Sequence, residues 1–235
     1  GAATAGVIGA GVIMGAYASP IFAFGSALAA VTIVYKLGSV KGKVYVDSLL
    51  LSGVAVAAFL GALVSLLIYI ARQQYHQLLF WLLGSLALAS TDKVLILLAP
   101  VLIGAFVVIL YGRDLDALLM GEETAHNLGA SPEVLKKVIL AVAAMMTAAA
   151  VAFSGVIGFV GLIVPHITRL VVGSNHRLLV PAATLSGAIF LIWADTLARS
   201  IVAPTELPVG IITALCGGPF FLYLLRRNSS ERASS

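Results

Sequence analysis

The sequence predicts an all-α fold of transmembrane helices, a polytopic membrane bundle, and three observations carry that expectation. Of its 235 residues 61% are hydrophobic and only 10% are charged, against about 25% charged in an ordinary soluble domain. Its mean hydropathy is +1.10. The charges sit in short clusters that separate long charge-free runs, so the apolar surface needs a bilayer as its solvent.

The spans follow from those runs. Residues 1–35 carry no charge, and at about 1.5 Å per residue they are too long for one crossing of a ~30 Å core. Pro disfavours helix at the residue before it, so Ser19-Pro20 divides the run into crossings over 3–18 and 20–36. Ser48 to Ala71 is the next crossing. Gln73 to His76 are polar, which predicts a loop and then a short helix over 78–83. Val94 to Gly112 is a full span. Val138 to Thr168 is again too long, and Ser154, Gly155, Gly158, Gly161 and Pro165 split it into helices over 133–152 and 162–172. Arg177 to Ile201 and Leu207 to Leu225 complete about eight crossings, and the polar tail from Arg226 is expected to be loose. Gly11 with Gly15, and Gly155 with Gly158 and Gly161, form small-residue stripes that let helix backbones approach.

Charge placement sets orientation. With the 113–137 loop in the cytoplasm, eleven basic residues from Lys36 to Arg232 fall inside, and only Arg72, Lys93 and Arg199 fall outside. This positive-inside bias puts the C-terminus in the cytoplasm. The net charge of +4 is spread among loops without a basic stripe, which argues against a nucleic-acid partner. Cys216 is the only cysteine and lies in an apolar run, where a small buried hydrophobe is expected; no intrachain disulfide can form. The chain opens at Gly1 inside an apolar run with no charged segment before it, which predicts a missing N-terminal part rather than a signal peptide.

Arg113 to Glu133 is the longest polar stretch inside the chain, and it is patterned. Leu115, Leu118 and Leu119 share one helical face, and Ala125 and Leu128 another. Gly121 and Gly129 break the stretch into two short helices. Ser131-Pro132-Glu133 then has the order of an N-cap, a first-position Pro and a first-turn acid. A plain connection would be shorter. The polar face carries Asp114, Asp116, Glu122 and Glu123, which suits a protein partner better than anionic lipid.

Other features exclude activities. No charge stands mid-span, where one costs about 2.5–3.5 kcal/mol, so ion-coupled transport within this chain has no visible site. Gly38 to Lys43 has three residues between its glycines and no Ser or Thr after Lys43, so it is a basic turn and no phosphate loop. Metalloprotease and serine-hydrolase motifs are absent. His166, after Pro165, is expected as a cap or donor at a helix break, and His76, His126 and His176 lack ligand spacing. Asp195 and Arg199 are spaced for an i,i+4 pair, and Glu206 between Pro204 and Pro208 marks an external turn. The competing class is a membrane carrier or channel that works without an ATPase.

Four motifs together, GEETAHNLG (121–129), SGVIGFVGLIVPHITRLVVGSNHR (154–177), ADTLARS (194–200) and ELPVGIITALCGGPFF (206–221), resemble the FecCD permeases of ABC importers for iron-siderophore, haem and cobalamin. The resemblance covers the whole chain in order, as one transmembrane permease domain over 1–235 with a cytoplasmic coupling loop at 113–132. It implies a type II ABC importer permease fold with about eight of the family's ten helices, the first two being absent. It further implies that Gly121, Glu122, Glu123, Ala125, Leu128 and Gly129 engage the ATPase subunit, and that Arg199 docks a glutamate of the external binding protein. Val46 and Asp47 align with a small polar pair that gates the cobalamin importer, from which this sequence departs. The spans starting at Ser48, with Gly53, and at Leu207, with Pro208 and Gly210, match the helices lining the path. Implied partners are two ATPase subunits, which use ATP and Mg, a binding protein, a second permease copy and the lipid of the cytoplasmic membrane. No cofactor is implied for this chain, which is not itself an enzyme. Ferric siderophore is the first cargo class, with haem and cobalamin beside it.

Overall fold

The computed structural model describes residues 15–40, 43–70, 82–87, 89–202 and 204–233. Their elements in chain order are α1 (Gly15–Gly38), the two-residue antiparallel strands β1 (Ser39–Val40) and β2 (Lys43–Val44), α2 (Val46–Ile70), α3 (Thr91–Leu110), α4 (Gly112–Leu118), α5 (Glu122–Asn127), α6 (Pro132–Ser154), α7 (Val160–Val172), α8 (His176–Ser200) and α9 (Val209–Ala233). Four stretches, Asp47–Ile70, Thr91–Leu110, Pro132–Ser154 and His176–Ser200, are long and apolar enough to cross a membrane. Shorter apolar helical stretches occupy Phe22–Gly38, Val160–Val172 and Val209–Leu224.

The outer faces explain the composition. Leu51, Phe59, Phe106, Leu185 and Trp193 are exposed, a surface that lipid accepts and water does not. Hydroxyls on the helices are satisfied internally. Thr32, Ser52, Ser65, Ser154, Thr184 and Thr196 each donate to the carbonyl four residues back at 2.6–3.0 Å.

Contacts divide the chain into two compact units, Gly1–Leu82 with Ala89–Gly155 and Leu83–Leu88 with Val156–Ser235. In the first, α1 packs on α2 and α6, and α3 packs on α6. Small residues make the close approaches: Ala23 meets Ala152, with Phe24, Val151 and Phe153 around them. A Cβ on Gly104 of α3 would overlap the Met146 thioether of α6. In the second unit α7, α8 and α9 pack pairwise. Its core joins Ala194, Ala198, Val209 and Ile212 to Leu86, Ile157 and Leu207. Small side chains at these contacts are the usual means of bringing helices together where lipid removes the hydrophobic drive.

Several expectations are corrected. α1 runs through Ser19-Pro20 without a break, because in a membrane helix neighbouring groups make up for the bond that the Pro cannot donate. The expected crossing over 3–18 otherwise lies outside the described residues, as do Gly11 and most of the loop and helix expected over 73–83. The stripe of Gly155, Gly158 and Gly161 does not form. α6 ends at Gly155 with φ 69°, the chain is non-helical through Gly158, and Phe159 takes a left-handed φ of 67° before α7 begins. Pro165 and His166 therefore lie inside α7 and cap nothing; His166 meets the Phe220 ring edge-on at 5.9 Å. The tail from Arg226 continues α9 as helix to Ala233. Cys216 is exposed on α9, since the apolar run around it faces outward there.

Candidate functional site

The polar segment between α3 and α6 folds as two short helices, with its turns at the expected glycines. Gly121 has φ 106° and Gly129 φ 88°, values that a Cβ would strain. The end of α5 is a Schellman turn: the Ala130 N–H donates to the Ala125 carbonyl, and the Gly129 N–H to the His126 carbonyl, both at 3.0 Å. Ala125 is fully buried and Ala130 nearly so, the apolar contact that accompanies such a turn. Ser131 occupies the N-cap of α6 without a side-chain bond, and Pro132 stands at its first turn.

Charge closes the other end of α5. Lys136 Nζ of α6 lies 2.6 Å from Glu122 Oε1 and 3.6 Å from Glu133 Oε1. Outward from this mount stand Glu123, Thr124, His126, Asn127 and the apolar Leu119, Met120 and Leu128. Of the residues expected to engage a partner, Gly121, Glu122, Glu123, Leu128 and Gly129 are exposed, whereas Ala125 serves the packing beneath them. Sequence reasoning missed Lys136. Its i,i+3 spacing to Glu133 was a signal, but the fourteen-residue separation from Glu122 was not.

At the end of α8, Arg199 Nε donates to Asp195 Oδ2 at 2.8 Å, and its Nη1 lies 3.6 Å from Glu206 Oε1. The Leu207 N–H donates to the Ala198 carbonyl at 3.2 Å, and the Thr205 N–H to the Val202 carbonyl at 2.9 Å, which shape the turn into α9. The intrachain pair read from spacing is present. Because the arginine side of the pair is exposed, Asp195→Asn is expected to leave the melting temperature of the purified protein nearly unchanged. A larger fall would mean that the pair holds the turn.

The remaining candidates stand in both units. Val46 begins α2, Asp47 is exposed and Ser48 half-buried. A Cβ on Gly53 would sit 4.0 Å from Val34 of α1, so this glycine faces a helix contact. Pro208 and Gly210 are buried at the start of α9, where the Gly210 N–H reaches the Gly84 carbonyl at 3.4 Å. A Cβ on Gly210 would overlap the Leu83 carbonyl oxygen.

Comparison with known proteins places these features in a family. The model of the FecCD transport family matches residues 1–227. The chain is 49% identical over 204 residues to the cobalamin import system permease protein of Halobacterium salinarum, covering 87% of this chain and 55% of that one. It is 42% identical over 222 residues to the hemin transport system permease protein of Yersinia pestis, covering 94% of this chain and 66% of that one. The chain thus spans a little over half to two thirds of the length of these relatives. A solved structure described as an inward-facing conformation of a metal-chelate type ABC transporter superposes with TM-score 0.81 at 32% identity, covering 96% of this chain and 73% of that one.

Proposed function

The chain belongs to the FecCD transport family, and from that premise we propose that it forms the membrane path of an ATP-driven importer for a metal chelate. It is a multi-pass protein of the cell membrane, and in this reading its C-terminus is cytoplasmic. Ferric siderophore is the first cargo class, with haem and cobalamin next. The observation that carries the reading is the pair of short helices, α4 and α5, standing between apolar helices with a polar and apolar tip turned outward. This chain carries no nucleotide loop, so the energy enters from a partner. A second permease copy completes the path, and each copy docks one of two ATPase subunits on its Gly121–Gly129 segment. An external binding protein delivers cargo, with Arg199 as its contact. Asp47, Ser48, Gly53, Pro208 and Gly210 belong to the helices that switch access, starting near Val46 and Leu207. The switch requires two states that differ in their contacts with the ATP-bound and the free ATPase.

The test is uptake into proteoliposomes holding the full-length protein, its ATPase and its binding protein. Ferric siderophore, haem and cobalamin are offered in turn, with ATP inside or with an ion gradient alone. ATP-dependent accumulation of one chelate supports the proposal. Accumulation driven by the gradient without ATP would move the chain to the carrier class.

A further inference from the structure

Resting on that reading, we infer that Lys136 is a positioning residue which locks the coupling helix α5 to the membrane helix α6, so that the ATPase stroke enters the permease through α6. α5 is attached to α6 at two points. Its C-terminal end is held by the Schellman turn, whose pivot is Gly129 at φ 88°. Its N-terminal end is held by the 2.6 Å bridge from Glu122 to Lys136. Packing on α4 and the buried Ala125 seat the helix, and the two attachments to α6 fix its direction on that side. The Lys136 side chain is only 13% exposed while that of Glu122 is 60% exposed, so the bridge reaches from a packed position on α6 out to the first turn of α5.

The pairing is built to persist. Glu133, one helical turn back at 3.6 Å, keeps a second carboxylate on the ammonium, so the charge stays compensated if Glu122 is displaced. The role of the pair is geometric, since it fixes where the first turn of α5 sits against α6. Next to the bridge Leu135 is buried, and further along α6 the buried Ala148, Ala149 and Ala152 form its packed side. α6 packs on α1 and α3, so a push that passes from α5 into α6 reaches three helices of this unit, and α4, which packs on α5, itself leans on α3 and α6. This assigns the entry of the stroke to α6, ahead of the helices that line the path.

Two measurements on the full-length protein in nanodiscs, in a Cys216→Ser background, test the inference. In the first, spin labels at Thr124→Cys and Lys137→Cys report the separation of α5 from α6 without any partner. Lys136→Met is expected to broaden the distance distribution, and Lys136→Arg, which keeps the cation, to leave it narrow. In the second, chelate moved per ATP hydrolysed is measured with the ATPase and binding protein present. Lys136→Met is expected to lower that ratio about threefold or more while the ATPase still co-purifies, and Lys136→Arg to keep most of it. An unchanged distribution in Lys136→Met, or a Lys136→Arg variant as poorly coupled as Lys136→Met, overturns the inference. Failure of the unsubstituted protein to bind the ATPase would instead overturn the importer reading, and the distance measurement would still decide the joint.

Discussion

Gly210→Val is expected to lower the melting temperature of the full-length protein in mild detergent by about 5–10 °C, a cost of about 1–3 kcal/mol or more. Gly210 is the second residue of α9, and its backbone sits directly against the Leu83 carbonyl oxygen, with the Val156 carbonyl 3.2 Å from where a Cβ would stand. Both obstacles are main-chain atoms, which cannot rotate away as a side chain can. Displacing α9 would also lose the bond from Gly210 to the Gly84 carbonyl, which satisfies one of the open N–H groups of the helix start. Thr213 and Gly217 continue the same face at helical spacing. Thr213 is fully buried, and a Cβ on Gly217 would overlap the Phe159 ring. Around Gly218, one residue on, the space that a Cβ would take is open to 4 Å. Gly218→Ala on that neighbouring face is therefore the control and is expected to melt close to the unsubstituted protein. Gly104→Ala should also cost little, because the atom it meets is the flexible Met146 thioether. Equal melting of Gly210→Val and Gly218→Ala would mean that α9 is not seated on this face.

How much of this was legible from the sequence depended on the range of the interaction. The spans expected over 48–71, 94–112 and 177–201 follow from runs whose charges lie only near their ends, and the helices match them to within about three residues. The turns at Gly121 and Gly129 were legible too, because a positive φ is a local demand that glycine answers. Proline misled at Ser19-Pro20, where its local preference predicted a break and α1 runs on as helix, whereas α7 runs through Pro165 as the helix expected over 162–172 does. Gly155, Gly158 and Gly161 have the spacing of a helical stripe, yet the left-handed conformations at Gly155 and Phe159 make a non-helical turn of the first two. The bridge from Glu122 to Lys136 depends on two turns closing, so no periodicity in the chain announces it. Ala125 was legible as an apolar position but its direction was not: the same helix face that buries Ala125 leaves Leu128 open.

That division of labour on α5 sets up the second large effect. Met120→Asp with Leu128→Asp is expected to abolish co-purification with the ATPase, weakening the association about a hundredfold, while the permease melts as before. Leu119, Met120 and Leu128 are 57%, 71% and 66% exposed, within the longest polar stretch inside the chain and outside the helices long enough to cross the membrane. Apolar side chains there have neither a core nor a bilayer span to cover them, and a cleft on a partner gives them one. Apolar anchors at such interfaces are worth about 1–2 kcal/mol each, so that two together account for about a hundredfold in affinity. The aspartates cost the isolated permease little, because both side chains are mostly exposed. Ala125→Leu gives the opposite pattern: that position is fully buried, so the larger side chain should lower the melting temperature and dislodge α5 from α6. Liposome flotation separates the remaining occupant. If the tip lay on lipid, the aspartates would change how the isolated 113–132 segment partitions onto vesicles and leave ATPase capture intact. Capture that survives both aspartates would remove this tip as the docking surface, and with it the physical link between ATP hydrolysis and the helices of this chain.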